Sequence, residues 1–367
     1  MRTGRADLPL HYGRAPRWLF TRMARLAGSI AELVVLEYDT GGFLRRISDP
    51  GWFQALGCVL GFDWHSSGLT TTTCGAIKEG IRGLEEDLGL FLAGGKGAAS
   101  RKTPTEIAAW SERAGIDAAP LIDASRTSAK VDSSAVQDGY AVYHHVFFFD
   151  RRGDWAVVQQ GMNEQNGMAR RYHWRSDPTL DFVNEPHAAV CCDRRGGQTL
   201  NLVAEASRGT REASAELARQ TPVALVGELM RLRSIRLPKR HEILVSDINP
   251  SRLSGIFAKT YEAQVEDFRS LLGVPGVGAK TLRALALVSE LVYGAPPSYD
   301  DPARYSYAHG GKDGIPYPVD RPLYDQTIAL MQRATRRAKL DSKEERATLR
   351  RIDRTFGLSK TTRRGGN

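Results

Sequence analysis

The segment Val265–Gly294, VEDFRSLLGVPGVGAKTLRALALVSELVYG, limits the possible folds more than any other part of the chain. An apolar helical pattern reaches Leu271 and Leu272, a Gly-Val-Pro-Gly-Val-Gly string reverses the direction, and a second apolar helix starts near Ala279. Pro275 presets φ inside the turn, while Gly276 and Gly278 permit backbone conformations and close approaches that a Cβ would block. The first amides of a helix have no partner within it, and the helix dipole places partial positive charge there, so this turn is predicted to receive an anion. Lys280 and Thr281 add a charge and a hydroxyl to the amides of Gly276, Val277 and Gly278.

Two amphipathic helices joined by P-G-V-G-x-K-T resemble a helix-hairpin-helix, the module with which many repair and recombination proteins hold the DNA backbone without reading sequence. The resemblance implies DNA as the partner, mainly through backbone phosphate. Charge agrees with it. The formal net charge is +9, and between Arg333 and Asn367 twelve Lys or Arg stand against four acids. Such a block is the electrostatic footprint of a polyanion partner.

Other classes are disfavoured. The N-terminus MRTGRADLPLHYGRAPRW is polar and no apolar run approaches the roughly 20 residues that span a bilayer, so a soluble, cytoplasmic chain with no membrane partner is expected. Cys58, Cys74, Cys191 and Cys192 show no C-x-x-C spacing, which argues against a zinc ribbon or a disulfide framework. No cysteine follows the hairpin, so no iron–sulfur cluster is expected there.

The fold class read from the pattern is α+β, with a mainly helical N-terminal region, a small antiparallel β-containing middle and an all-helical C-terminal domain. Residues 1–128 read as helices over Arg17–Glu37, from Ser48 through Val59 and over Thr71–Leu88. A glycine and lysine loop with Lys96, Arg101 and Lys102 follows, then a helix start at Thr103 with Glu106 as capping partner. The loop is not a Walker loop, because Lys96 precedes Gly97 rather than Ser or Thr. Residues 129–203 turn to β, with YAVYHHVFFFD (Tyr140–Asp150) and WAVVQQG (Trp155–Gly161) forming a hairpin about Arg-Arg-Gly-Asp. This region is expected to form one unit with the N-terminal one. Residues 204–360 carry the helical domain with the hairpin, and 361–367 a basic tail.

Four of eight histidines lie within residues 144–187, which makes the middle region the densest candidate for acid–base or metal chemistry. Asp132, Asp138, His144, His145 and Gln160 are the catalytic candidates, Asp132 and Asp138 the candidate ligands for a divalent ion, Mg²⁺ or Mn²⁺, and Arg170 and Arg171 candidate phosphate contacts. The Asp then Glu-x-Lys pattern of restriction-enzyme-like nucleases is not met, since the second strand offers Gln159-Gln160-Gly161. After Gly294 a long irregular stretch contains AHGGKDGIPYPVD, with Lys312 as a further DNA contact. Here the chain resembles helix-hairpin-helix glycosylases, which implies Lys280 as Schiff-base lysine and Asp320 as catalytic carboxylate. Over its whole length it is similar to a prokaryotic family described as domain of unknown function 763, on the strings FQALGCVLGFDWHSSGLTT, WAVVQQGMN, ARRYHW and AHGGKDGIPYPVD. Three functions are therefore expected in order: a metal-dependent, structure- or damage-directed nuclease, a glycosylase or lyase using Lys280 and Asp320, and a non-catalytic backbone- or junction-binding factor.

Overall fold

The computed structural model describes residues 15–62, 66–177, 180–192, 199–232, 250–303, 329–336 and 342–355. The architecture is α+β and its centre is a five-stranded antiparallel sheet. Along the chain come α1 (Arg17–Ser48), α2 (Pro50–Leu60), α3 (Gly68–Gly80) and α4 (Glu85–Leu88), then β1 (Leu90–Lys96). Next are α5 (Thr103–Ala114), α6 (Ala118–Lys130), a single π-turn at Val131–Ala135 and β2 (Val136–Gln137). β3 (Ala141–Asp150), β4 (Trp155–Asn163), β5 (Met168–Arg175), β6 (Ala189–Cys191) and β7 (Leu200–Asn201) complete the strands. The helices α7 (Arg208–Ala218), α8 (Pro222–Leu232), α9 (Pro250–Ala263), α10 (Phe268–Gly273) and α11 (Ala279–Tyr293) follow, and α12 (Ser342–Thr355) lies last. None of the described helices is long and apolar enough to cross a membrane.

The sheet order is β1-β3-β4-β5-β6, and the expected hairpin is its β3–β4 pair. Alternation sorts the side chains to two faces. Leu90, Leu92, Val146, Phe148, Ala156 and Val158 pack under α1–α3. Phe91, Ala93, Phe147, Phe149, Val157, Tyr172 and Trp174 pack under α5, α6 and the later helices. Helices thus cover both faces, which is why Val146–Phe149 in β3 and Trp155–Val158 in β4 are continuous apolar runs. The second cluster continues without interruption into Leu217, Phe257, Leu271, Leu285 and Ala303. The helical segment after residue 204 therefore shares one core with the sheet.

Two local expectations change. The first part of the glycine and lysine loop, through Lys96, belongs to a strand, β1, which pairs with β3 from Leu90↔Asp150 to Lys96↔His144. Glu106 does not cap its own helix: its carboxylate accepts from Gly94 N at 2.9 Å and from Lys78 Nζ at 2.6 Å. Gly94 holds φ at +94° with His145 O only 2.3 Å from where a Cβ would stand, so β1 can approach β3 only through a glycine.

Candidate functional site

The hairpin turn adopts the geometry its residues dictate. Val277 N donates to Val274 O at 3.1 Å, Pro275 stands second, and Gly276 third with φ +98°, which is a type II turn. Asp267 and Ser270 close a capping box at the start of α10, so that helix is pinned where it enters the turn. Gly278 begins α11 with φ −148° and ψ −172°, and no side chain caps the helix. No atom of the described residues packs within 4 Å of the place a Cβ would occupy on Gly278. Pro275, Gly276 and Lys280 are exposed, and Gly278 half-exposed. Two residues expected at the surface are not there. Val277 and Thr281 are buried, because each turns its side chain toward the apolar layer beneath, so the Thr281 hydroxyl does not supplement the exposed amides.

The middle-region candidates fall into two rows across the sheet. Register places Lys96, His144, Gln160 and Arg171 side by side on the α1–α3 face. The neighbouring row carries His145, Gln159 and Tyr172 on the opposite face. His144 and His145, adjacent in sequence, therefore serve different layers.

The second row belongs to a hydrogen-bond chain whose direction is determined throughout. Asp132, fully buried on the π-turn, accepts from Gln159 Nε2 at 2.5 Å, Trp174 Nε1 at 2.9 Å and His187 Nε2 at 2.5 Å. Gln159 Oε1 then takes the Nδ1–H of His145 at 2.8 Å, and His145 Nε2 accepts from Ser125 Oγ at 2.9 Å. Burial lowers the His145 pKa against the opposing bond to Gln159 and the charge of Asp132, which fits the neutral tautomer this chain requires. The Asp132 carboxylate is taken up by three core donors and anchors the π-turn to the sheet.

Asp138 is likewise engaged. It accepts from Arg170 Nη1 at 2.8 Å and Tyr172 Oη at 2.7 Å, and Arg170 Nη2 reaches Asp301 at 2.7 Å. Among the described residues no group of three His, Cys, Asp or Glu is placed to hold a metal. Arg170 and Arg171 are both wholly buried and cannot grip a DNA phosphate at the surface. Arg171 instead donates to His173 Nε2 at 2.9 Å, Thr70 Oγ1 at 3.2 Å and Gln54 Oε1 at 3.0 Å, and its guanidinium lies 4.6 Å from the Phe53 ring.

His144 stands apart from both networks. It is 1% exposed, and among the described residues neither ring nitrogen has a hydrogen-bond partner. Burial, with repulsion from His145 and Lys96, pushes its pKa down to about 3. The amide of Gln160 opposite it donates to Ser67 O and Tyr143 Oη, leaving Gln160 Oε1 without a donor. Asp320 and Lys312 lie outside the described residues.

Contacts that join distant segments had no sequence signal. Lys130 Nζ donates to Val277 O and Gln137 Nε2 to Ala279 O at 2.9 Å, tying the π-turn segment to a hairpin about 140 residues later. His187 was visible as one of the clustered histidines, but its pairing with Asp132 was not.

The family described as Protein of unknown function (DUF763) matches residues 4–319. The chain belongs to the DUF763 family. That match spans the sheet, both polar rows and the hairpin turn, and its description carries no activity. No curated protein and no solved structure matches the chain.

Proposed function

We propose that this protein binds DNA through backbone phosphate, with the turn at Val274–Lys280 as the receiving element. The observation that carries the reading is Gly278. Its backbone is extended, a conformation any residue adopts, and no atom of the described residues packs where a Cβ would point. Neither strain nor packing by the described residues calls for glycine, whereas close approach of a ligand to the amides at the start of α11 does. Exposed Lys280 beside it supplies a charge that such a ligand requires.

The reading is one of binding. Of the groups expected to hold a metal or move protons, Asp132, Asp138 and His145 are engaged by core donors and acceptors, the Gln160 amide donates to Ser67 O and Tyr143 Oη, His144 is buried, and Asp320 lies outside the described residues.

Gly278→Ala tests it. The substitution is expected to leave thermal stability within about 0.5 kcal/mol, as at other surface positions without strain. Affinity for a labelled duplex of mixed sequence, measured by fluorescence anisotropy, is expected to fall, and wild-type affinity to drop steeply with added salt. Unchanged affinity in Gly278→Ala, or no salt dependence in the wild type, would refute the reading.

A further inference from the structure

Four carbonyl oxygens around the turn are taken up by donors of the protein itself. Val274 O accepts from Val277 N at 3.1 Å and Gly278 O from Leu282 N at 3.0 Å. The other two are held from outside the hairpin: Val277 O by the Lys130 ammonium and Ala279 O by the Gln137 amide. Arg283 Nε donates to Gln137 Oε1 at 2.8 Å, which fixes which way that amide points. A carbonyl oxygen facing a phosphate would repel it. Lys130 and Gln137 thus each neutralise an acceptor beside the start of α11, where the amides would meet an anion.

Lys130 and Gln137 flank one short element, the π-turn Val131–Ala135, and that element cannot drift. Asp132 within it is locked to Gln159, Trp174 and His187 in the core. The clamp on the turn is therefore built on the sheet.

The face of α6 that leads to this clamp also carries charge. Asp123, Arg126 and Lys130 follow at i, i+3 and i+7, a single stripe along the helix. At one end Asp123 pairs with Arg269 of α10, so its negative charge is offset, and at the other Lys130 reaches the turn. Arg126 is exposed between them, about 6 Å along the axis from Lys130. It lies beside the path from α10 into the turn.

We propose that the DNA-binding surface extends from the turn onto α6, with Arg126 contacting a second backbone phosphate and Lys130 and Gln137 acting as positioning residues that present the turn's amides. This rests on the reading of the turn as a phosphate site. The partner is recognised by its repeating negative charge, and no base contact is invoked.

The test is equilibrium binding of the full chain to a labelled duplex across a series of salt concentrations, comparing the wild type with Arg126→Gln, Lys130→Met, Lys130→Arg and Lys280→Gln. Thermal unfolding of each variant is recorded alongside. Arg126→Gln is expected to weaken binding about threefold to tenfold and to reduce the salt slope by about 0.9, the signature of one lost phosphate contact. Lys130→Met is expected to weaken binding while keeping the wild-type slope, and Lys130→Arg, which retains the donor, to restore affinity. If Lys130→Met does not fold, Arg126→Gln on the exposed stripe still decides the surface. Should Lys280→Gln weaken binding while Arg126→Gln and Lys130→Met match the wild type, the extension onto α6 is wrong and the turn reading stands. Absence of wild-type binding overturns both.

Discussion

His144 shows what a single buried side chain can impose on the whole protein. Its ring is neutral in the fold, because burial pushes its pKa down to about 3 from the ordinary 6.5. Between those values the unfolded chain binds a proton that folded His144 refuses. Its contribution to stability is thus complete above pH 6.5 and is lost as pH falls toward 3. Each unit of that window is worth about 1.4 kcal/mol, so acidification from 6.5 to 5 costs about 2 kcal/mol from this residue. His173, donating to Ile47 O and accepting from Arg171, is also held neutral by burial and adds loss in the same direction. Urea unfolding at pH 7 and pH 5 measures the effect. His144→Leu is expected to reduce the difference between the two by about 2 kcal/mol, and at pH 7 to cost little, since neither ring nitrogen has a partner to lose among the described residues. Equal acid losses in variant and wild type would contradict this account. The sequence marked His144 as notable but could not distinguish it from His145. One residue of offset sends their side chains to opposite faces, and only the neighbours packed on each face decide which ring is bonded.

At the scale of elements, the crossing of α1 and α3 depends on a pair of glycines. A Cβ on Gly28 would stand 2.2 Å from Gly80 O, and one on Gly80 would stand 2.2 Å from Ala24 O. The two helices meet backbone to backbone. Gly28→Ala must therefore push the helices apart and disturb the layer beneath, with an expected loss of about 1–3 kcal/mol or more. Chemical denaturation measures it, and a stability equal to the wild type would show that the helices separate without cost. The neighbouring Gly75→Ala, whose Cβ would meet the Phe20 ring at an ordinary 3.7 Å, is the matched control. The hairpin turn and the β3–β4 pair were legible because their signals are local: Pro-Gly at the centre of a type II turn, and aromatic and β-branched runs about a short loop. β1 was not legible. Its glycines resemble a loop until β3 is beside it, and Gly94 is glycine because of that neighbour.

Across the whole molecule, two apolar clusters share one sheet. One holds α1–α3 and the other runs from β1 through α6 to α11 and Ala303. Lys130, Gln137 and Arg269 add polar ties between the segments before and after residue 204. Such continuity predicts one cooperative unfolding event for the described body. All six tryptophans stand within the first 174 residues, so their fluorescence follows the N-terminal and sheet regions, while far-UV circular dichroism also follows α7–α11. The two signals are expected to give the same urea midpoint. Separate midpoints would mean that the helices after residue 204 unfold as a unit of their own.

The amino-acid sequence by itself determined the features that depend on near neighbours along the chain. These are the α+β class, the β3–β4 hairpin, the turn at Val274–Val277 and the exposed charge of its first helical turn. Each follows from residue type and spacing over a few positions, where sterics and periodicity act directly. The tertiary structure decided which polar groups face solvent. Arg170 and Arg171 looked like phosphate ligands and are buried, Asp132 and Asp138 looked like metal ligands and are bound by core donors, and Lys130 and Gln137 hold a turn far along the chain. Burial and hydrogen-bond partners are set by which distant segments meet, and a polar side chain carries the same letters whether its partner is water, a neighbouring strand or a ligand.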